Sequence, residues 1–279
     1  LDAPSQRLFI SKINNQLVGV CLIAIEGGLS EELALQVISG ERRPQGHLMA
    51  QALSQLSFNN DCLTQLSARV VRIAIDPSSH NIGLGKKLLS YCESQVKSQC
   101  SWFGASFGAT AQLLNFWQNL GFDTVKLGYQ RDKSTAEHSA LVVKCLSDKS
   151  TILQPLKKQF KNDFFYALLT HFKTLDWQLV NIIIEGFSDE LISLETHERL
   201  ALLTKSNFTQ FSISATLWQL VSQSPSCISH LTEPDKQLLI KLVLQNESDE
   251  KVIQHLSLLG KKQLEKQFKR AIKNLTSTI

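Results

Sequence analysis

The chain has 279 residues, enough for roughly two domains of about 150 residues, each able to bury a core without disulfide staples. A composition of 43% hydrophobic and 19% charged residues excludes disordered, fibrous and disulfide-dense classes. With 29 basic and 25 acidic residues the net charge is +4, which permits contact with nucleic acid without announcing it, so the distribution of charge has to decide.

Six cysteines (Cys21, Cys62, Cys92, Cys100, Cys145 and Cys227) form no C-x-x-C pair and no cluster with histidine at metal-ligand spacing. They read as reduced thiols, mostly core, of a cytoplasmic protein with no metal site. The most hydrophobic stretch, around Leu179 to Ile184, is interrupted by Asn181 and closed by Glu185, far short of the roughly 18 apolar residues that span a bilayer. The chain begins at Leu1 with no signal-like segment behind it, which leads to the expectation of a piece cut from a longer protein.

In chain order, Leu8 to Ile13 and Leu17 to Glu26 are strand-like runs joined at Asn14-Asn15, residues that accept the positive φ of a tight hairpin; Gly27-Gly28 ends the pair. A mixed stretch runs from Leu29 to Ser67. Val70 to Ile75 is a buried strand that Asp76-Pro77 stops. After Gly83, Leu84, Leu88, Leu89, Cys92 and Val96 fall near the 3.6 period of a helix whose other face carries Lys86, Lys87 and Glu93. A strand at Ser101 to Phe107, a helix at Ala111 to Leu120 ended by Gly121, and strands around Phe122 to Gln130 and Ser139 to Leu146 follow. This order predicts an α+β domain on a mixed sheet over residues 1–150.

Eleven of the thirteen glycines lie in that part; only Gly186 and Gly260 lie beyond it. Residues 151–279 read as all-α. Leu156, Phe160, Phe164, Leu168 and Phe172 step by four, so these aromatics belong to a core rather than to a base-stacking platform. Thr232-Glu233-Pro234-Asp235 caps a helix at Leu238 to Leu244, and Gly260 suits a helix end.

The stretch that carries chemistry is Arg72-Ile73-Ala74-Ile75-Asp76-Pro77-Ser78-Ser79-His80-Asn81-Ile82-Gly83-Leu84-Gly85-Lys86-Lys87. A strand entering a glycine-containing loop that opens a helix offers unpaired N–H groups and the positive helix end to an anion. It is no Walker loop, because His80 stands where the first glycine belongs and Lys87 follows Lys86; Leu88 occupies the third glycine of the dinucleotide fingerprint.

The strand and Asp-Pro, His80-Asn81-Ile82-Gly83-Leu84-Gly85 as a near match to Q/R-x-x-G-x-G/A, and Phe116-Trp117-Gln118-Asn119-Leu120-Gly121-Phe122 in place of L-Y-x-x-x-G-F resemble the GNAT acetyltransferase superfamily. Together with Glu41-Arg42-Arg43-Pro44-Gln45-Gly46-His47-Leu48, Val71-Arg72-Ile73-Ala74, Ser106-Phe107-Gly108 and Leu258-Leu259-Gly260-Lys261-Lys262, they resemble the bacterial tRNA(Met) cytidine acetyltransferase family over nearly the whole chain. The resemblance implies a GNAT-like mixed sheet flanked by helices and lacking its first strand and helices, then a helical tail. It also implies acetyl-CoA as acetyl donor, elongator tRNA(Met) as acceptor through its wobble cytidine, and an upstream helicase-like module of the same full-length chain that uses ATP or GTP.

Carried over by motif, Ile73, Ala74 and Ile75 would pair with the pantetheine, and His80, Asn81, Ile82, Gly83, Leu84, Gly85 and Lys86 would hold the pyrophosphate. A strand amide near Ile75 would contact the developing oxyanion. Relatives place an acid and a base where Gln112 and Asn119 stand. Where many members use a tyrosine as acid, Trp117 stands and cannot serve. His47, His138 and Glu137 remain as candidate bases, the last two reading as solvent residues, and none is assigned.

For RNA, Arg42 and Arg43 are stiffened by Pro44, and Lys261, Lys262, Lys266, Lys269, Arg270 and Lys273 face the single acid Glu265, a local balance of +5. Of these, Arg42, Arg43, Lys261, Lys262, Lys269 and Arg270 are the expected contacts. Two other readings stand beside an RNA acetyltransferase: a GNAT enzyme acting on a protein or small-molecule amine, and a catalytically silent module that binds acetyl-CoA and tRNA.

Overall fold

The computed structural model describes residues 5–147, 152–205 and 208–277. Two compact units emerge, one of Leu1–Ala109 with Phe116–Phe160 and one of Thr110–Asn115 with Lys161–Ile279.

The first unit is built on a six-stranded sheet in the order β1-β2-β3-β4-β6-β5. Strands β1 (Ser5–Ile13) and β2 (Gln16–Gly27) form the hairpin, with Asn14 and Asn15 at φ 49° and 60°, as a two-residue turn of the inverted type requires. At Gly27 (φ 83°) a side chain would run into the Gln65 carbonyl, so the bend there needs glycine. The mixed stretch resolves into three helices: α1 (Glu31–Ile38), capped by Ser30 through the Leu33 N–H, α2 (Leu48–Ser57) and the single turn α3 (Asp61–Thr64). Strand β3 (Leu66–Ile75) starts earlier than its apolar core suggests, since Ser67 and Ala68 are as buried as Val70. Helix α4 (Leu84–Val96), β4 (Trp102–Gly108), α5 (Ala111–Gln118), β5 (Asp123–Arg131) and β6 (His138–Cys145) complete the order expected of an α+β domain.

Because side chains alternate along a strand, β2 serves both faces of the sheet. Cys21, Ile23 and Ile25 face α4, whose Leu88, Leu89, Cys92 and Val96 are buried. Glu26, on the other face, is fully buried and pairs with Arg69. Its second oxygen accepts the Met49 and Ala50 N–H groups at 2.7 and 3.2 Å. This sheet carboxylate caps α2, whose own cap residue His47 supplies no side-chain cap. Met49 and Leu53 on α2 then join Trp102, Val125, Leu141 and Val143 in one apolar cluster. Burying each such side chain contributes roughly 1.5–3 kcal/mol.

The second unit is helical: the later part of α6 (Leu153–Leu168), then α7 (Trp177–Glu185), α8 (Leu194–Lys205), α9 (Gln210–Gln223), α10 (Glu233–Leu239), α11 (Asp249–His255) and α12 (Lys261–Thr276). Phe164 and Phe172 are buried, the core role their spacing predicted, and Phe165 is buried beside them against Phe187 and Trp218. The helix expected at Leu238 to Leu244 changes to a π-helical turn at Ile240–Leu244. The buried Gln245 that follows donates to the Phe172 and Leu175 carbonyls at 2.8 and 2.9 Å, and Lys241 donates to Leu175 at 3.0 Å. Gly260 corrects its expectation: it precedes α12 as the first cap rather than ending a helix, the preceding turn being closed by Ser257 at φ 52°. Among the described residues, no helix is long and apolar enough to cross a membrane, and no three His, Cys, Asp or Glu side chains gather as a metal site would need.

Candidate functional site

β3 and β4 run parallel, but they pair only from Ser67–Val70 against Trp102–Ala105. Beyond that point β3 stays with β2 as far as Ile75 and β4 stays with β6 as far as Gly108, so the two strands part and leave a wedge-shaped slot in the sheet. The Asp76 N–H donates to the Val18 carbonyl at 2.8 Å, directly across the β2–β3 ladder. By the alternation of an antiparallel ladder, the main-chain groups of Ala74 and Arg72 also face β2, whereas those of Ile73 and Ile75 face the slot. Of the expected trio, Ile73 keeps both main-chain groups toward the slot and Ile75 its N–H, the Ile75 carbonyl being taken by the His80 ring, whereas Ala74 faces Val20 of β2.

The loop at the slot's open end is ordered by its own chemistry. The Asp76 carboxylate accepts the Ser78 N–H at 2.9 Å and the Ser78 hydroxyl at 2.5 Å, which together hold its pKa below the usual range. The His80 ring donates through Nε2 to the Ile75 carbonyl at 2.8 Å and closes the strand end. Asn81 and Gly83 take φ 60° and 81°, turning the chain into α4. The first helical bond is Lys87 N–H to the Gly83 carbonyl at 3.0 Å, so the N–H groups of Leu84, Gly85 and Lys86 precede it and remain open. A Cβ built on Gly83 meets nothing within 4 Å, leaving room over those groups, whereas one on Gly85 turns inward to Ile75 and Phe116 at 3.7 Å. Open N–H groups at a helix N-terminus beside an unpaired strand edge fit a diphosphate joined to an amide-bearing arm, the outline of coenzyme A.

The two candidate histidines do not converge on the slot. The His47 ring accepts the Gly27 N–H through Nδ1 at 2.9 Å, and Gly27 lies opposite Leu66 at the far end of β3. Four residues of strand, about 13 Å, separate that level from the slot's closed end at Val70. His138 is buried rather than solvated: its Nδ1 donates to the Gly128 carbonyl at 2.7 Å and its Nε2 accepts from Arg131 at 3.4 Å, pinning the irregular β5–β6 register. The Glu137 side chain lies over Gly108. Trp117 is buried, stacked on Phe107 and edge-on to Phe122.

The cysteines are core residues too, all but Cys145 buried. Burial pushes the Cys62 and Cys227 thiols up to about 12, so neither is a nucleophile at neutral pH.

In the tail, α12 buries Leu264, Phe268, Ala271, Ile272 and Leu275. Its basic residues separate into two groups. Arg270 donates to the fully buried Asp235 at 2.8 Å, and Lys261 lies 3.8 and 3.9 Å from Asp249 and Glu250. Both of these expected RNA contacts therefore have an acidic partner within the fold, while their side chains stay more than half exposed. Lys262 and Lys269 fall instead on one stripe with Lys266 and Lys273, spaced by four, three and four residues. Lys269 also sits over the Phe208 ring at 5.9 Å. Phe208 and the 96% exposed Phe211 flank a hollow of about 340 Å³ that Lys261 and Lys269 also line. Sequence reasoning passed over these aromatics, although two phenylalanines bracketing the Thr209 cap leave one without a core position. Arg42 and Arg43 are exposed just before α2.

A mixed sheet that opens between two parallel strands, with a glycine-turned loop and an open helix N-terminus at the end of one, defines a GNAT-type acyltransferase domain. The sequence model of the family described as GNAT acetyltransferase 2 matches residues 1–97 and 86–147, more than half of the chain, and the chain belongs to this family. It is 37% identical over 148 residues to the tRNA(Met) cytidine acetyltransferase TmcA of Salmonella typhimurium, covering 53% of this chain and 22% of that protein. The TmcA of Nitrosococcus halophilus is 27% identical over 284 residues, covering 99% of this chain and 38% of that protein. For the TmcA of Vibrio cholerae the identity is 28% over 275 residues, with coverage of 98% and 37%. The chain thus spans between 22% and 38% of the length of these relatives.

Proposed function

We propose that the chain transfers an acetyl group from acetyl-CoA to the exocyclic amine of the wobble cytidine of elongator tRNA(Met), as the C-terminal part of a larger ATP- or GTP-driven enzyme. Residues 1–150 act as the transferase part, and residues 151–279 form a tail that holds the tRNA. The observation that carries the reading is the parting of β3 from β4 beside an open helix N-terminus, in a chain similar to proteins named for that reaction.

Acetyl-CoA, when bound, supplies an acetyl group activated as a thioester. The main-chain groups of Ile73 and the N–H of Ile75 would align its arm as an added strand, and the N–H groups of Gly83, Leu84, Gly85 and Lys86, with the turn at His80, Asn81 and Ile82, would hold its diphosphate. Cytidine's amine is neutral but weakly nucleophilic, because its lone pair is delocalised into the ring. What the chain must supply is therefore placement and a polarised carbonyl more than a strong base. The slot-facing N–H of Ile73 lies closer to the closed end than that of Ile75 and is the donor assigned to that oxygen.

Incubation with radiolabelled acetyl-CoA and elongator tRNA(Met), with and without the ATPase portion of a full-length relative, followed by nucleoside analysis, tests the reading. Labelled N4-acetylcytidine is expected at the wobble position in at least one reaction. Its absence from both, with acetyl-CoA bound, would leave only a donor-binding domain.

A further inference from the structure

At the end of β3 far from the diphosphate loop lies a hollow of about 380 Å³ lined by Leu29, Leu33, Arg42, Arg43, Pro44 and His47. Its floor is fixed. Leu29 and Leu33 pack on the Ala34, Val37, Ala50 and Leu63 cluster, and the start of α2 is held by the Glu26 carboxylate. Its rim is fixed as well, because the Arg42 N–H donates to the Gln36 carbonyl at 3.1 Å and Gln51 Nε2 donates to the Pro44 carbonyl at 2.6 Å. His47 is 94% buried by its 6% exposure, and since its Nδ1 accepts the Gly27 N–H, the ring proton sits on Nε2. No bond within the described residues takes that Nε2–H, and the atom is not sealed from solvent, so His47 brings to the lining of the hollow a donor open to a ligand. Neither Arg42 nor Arg43 forms an ion pair among the described residues.

We propose that this hollow binds one nucleotide of the RNA acceptor other than the cytidine that is acetylated. This rests on the RNA reading above and adds a second, separate nucleotide subsite to it. The two guanidinium groups match a phosphate in charge and fork geometry, the Leu29–Leu33–Pro44 wall offers an apolar plane to a base, and the His47 Nε2–H supplies one oriented donor. The volume lies in the range of small-ligand pockets. The donor's own phosphates are excluded by reach: Leu66, level with His47, and Ile75 are nine residues of strand apart, about 30 Å. The level of the slot's closed end is only about 13 Å away, so one bound strand of RNA spans both places.

The test is fluorescence anisotropy of a labelled anticodon stem–loop RNA against the full chain over a salt series, with acetyl-CoA calorimetry on the same samples. For Arg42→Ser/Arg43→Ser, RNA affinity is expected to fall tenfold or more and the salt slope to flatten by about 0.7 to 0.9, the share of one phosphate, with acetyl-CoA affinity unchanged. His47→Gln, which keeps an acceptor for Gly27 and a donor for the hollow, should bind RNA better than His47→Leu. RNA binding within twofold of the parent chain in the double arginine variant would overturn the subsite while leaving the RNA reading intact. If a poly-glutamate peptide displaced the RNA from the parent chain at equal charge concentration, the hollow would be a site for acidic protein and the subsite would fall. A parent chain that binds acetyl-CoA but no RNA would overturn the RNA reading itself.

Discussion

The diphosphate loop and helix α12 both present positive potential, yet they do so by opposite means. At the loop the groups proposed to bind the anion are main-chain N–H groups at the start of α4, placed by a strand end, two residues with positive φ and a helix start. On α12 they are side chains, and each lysine or arginine serves an anion only if no acid of the fold has taken it. Arg270 is held by Asp235, while Lys262, Lys266 and Lys273 carry no ion pair among the described residues. Main-chain sites follow from local sequence; side-chain sites depend on what the rest of the fold brings near.

The sharpest way to break this contrast is at Gly83. Gly83→Glu is expected to weaken acetyl-CoA binding by at least about 100-fold, near 3 kcal/mol, measured by calorimetry. Part of the loss is the strain of a side-chain residue at φ 81°, roughly 1–2 kcal/mol, and the remainder is a carboxylate in the space over the open N–H groups. Gly83→Ala separates the two, because it carries only the strain; equal losses in both variants would remove the electrostatic account.

Next in size is Arg270→Ala. It leaves the fully buried Asp235 carboxylate without its cation, with Asn274 at 3.4 Å as its remaining side-chain donor among the described residues, and should destabilise the helical unit by about 2–4 kcal/mol in urea unfolding. Lys262→Ala, one helical face away, should cost almost nothing. If the two variants unfolded alike, Arg270 would be as free as Lys262 and would return to the RNA-binding set.

These particular residues also mark what could be read from the sequence alone. The hairpin at Asn14-Asn15, the stop at Asp76-Pro77, the α4 stripe and the loop from His80 to Lys86 are local patterns whose physics acts within a few residues, and the fold bears them out. The parting of β3 and β4 is not local: whether Ile73 or Ala74 faces the slot depends on the register with β2, which the alternation of side chains in one strand does not reveal. The partners of Arg270, Lys261, His47 and His138 likewise come from distant segments or another strand. Histidine looks the same in sequence whether it is solvated or, like His138, bonded at both ring nitrogens. The exposure of Phe211 has no signal in the sequence either, because an aromatic ordinarily goes to a core.

A smaller effect sharpens the side-chain half of the comparison. Replacing Lys262, Lys266 and Lys273 with glutamine should reduce the salt slope of tRNA binding by about 2, since each phosphate contact contributes roughly 0.7–0.9. Lys261→Gln should change it little, because Asp249 and Glu250 already offset that charge. An unaltered slope in the triple variant would take the α12 stripe out of the interface.

The smallest effect belongs to Gly85, only two residues from the most sensitive position. A Cβ there points at Ile75 and Phe116 at ordinary contact distance instead of over the N–H groups, and the residue sits inside the first turn of α4. Gly85→Ala should therefore leave acetyl-CoA affinity within about twofold, and by helix propensity it should raise stability by about 0.5–1 kcal/mol in denaturant unfolding. Such a result would show that the loop's requirement for glycine comes from φ at one residue and not from a general need for small side chains. A large loss of affinity would mean that the diphosphate approaches α4 from the Phe116 side, and the orientation assigned to the donor in the slot would have to be reversed.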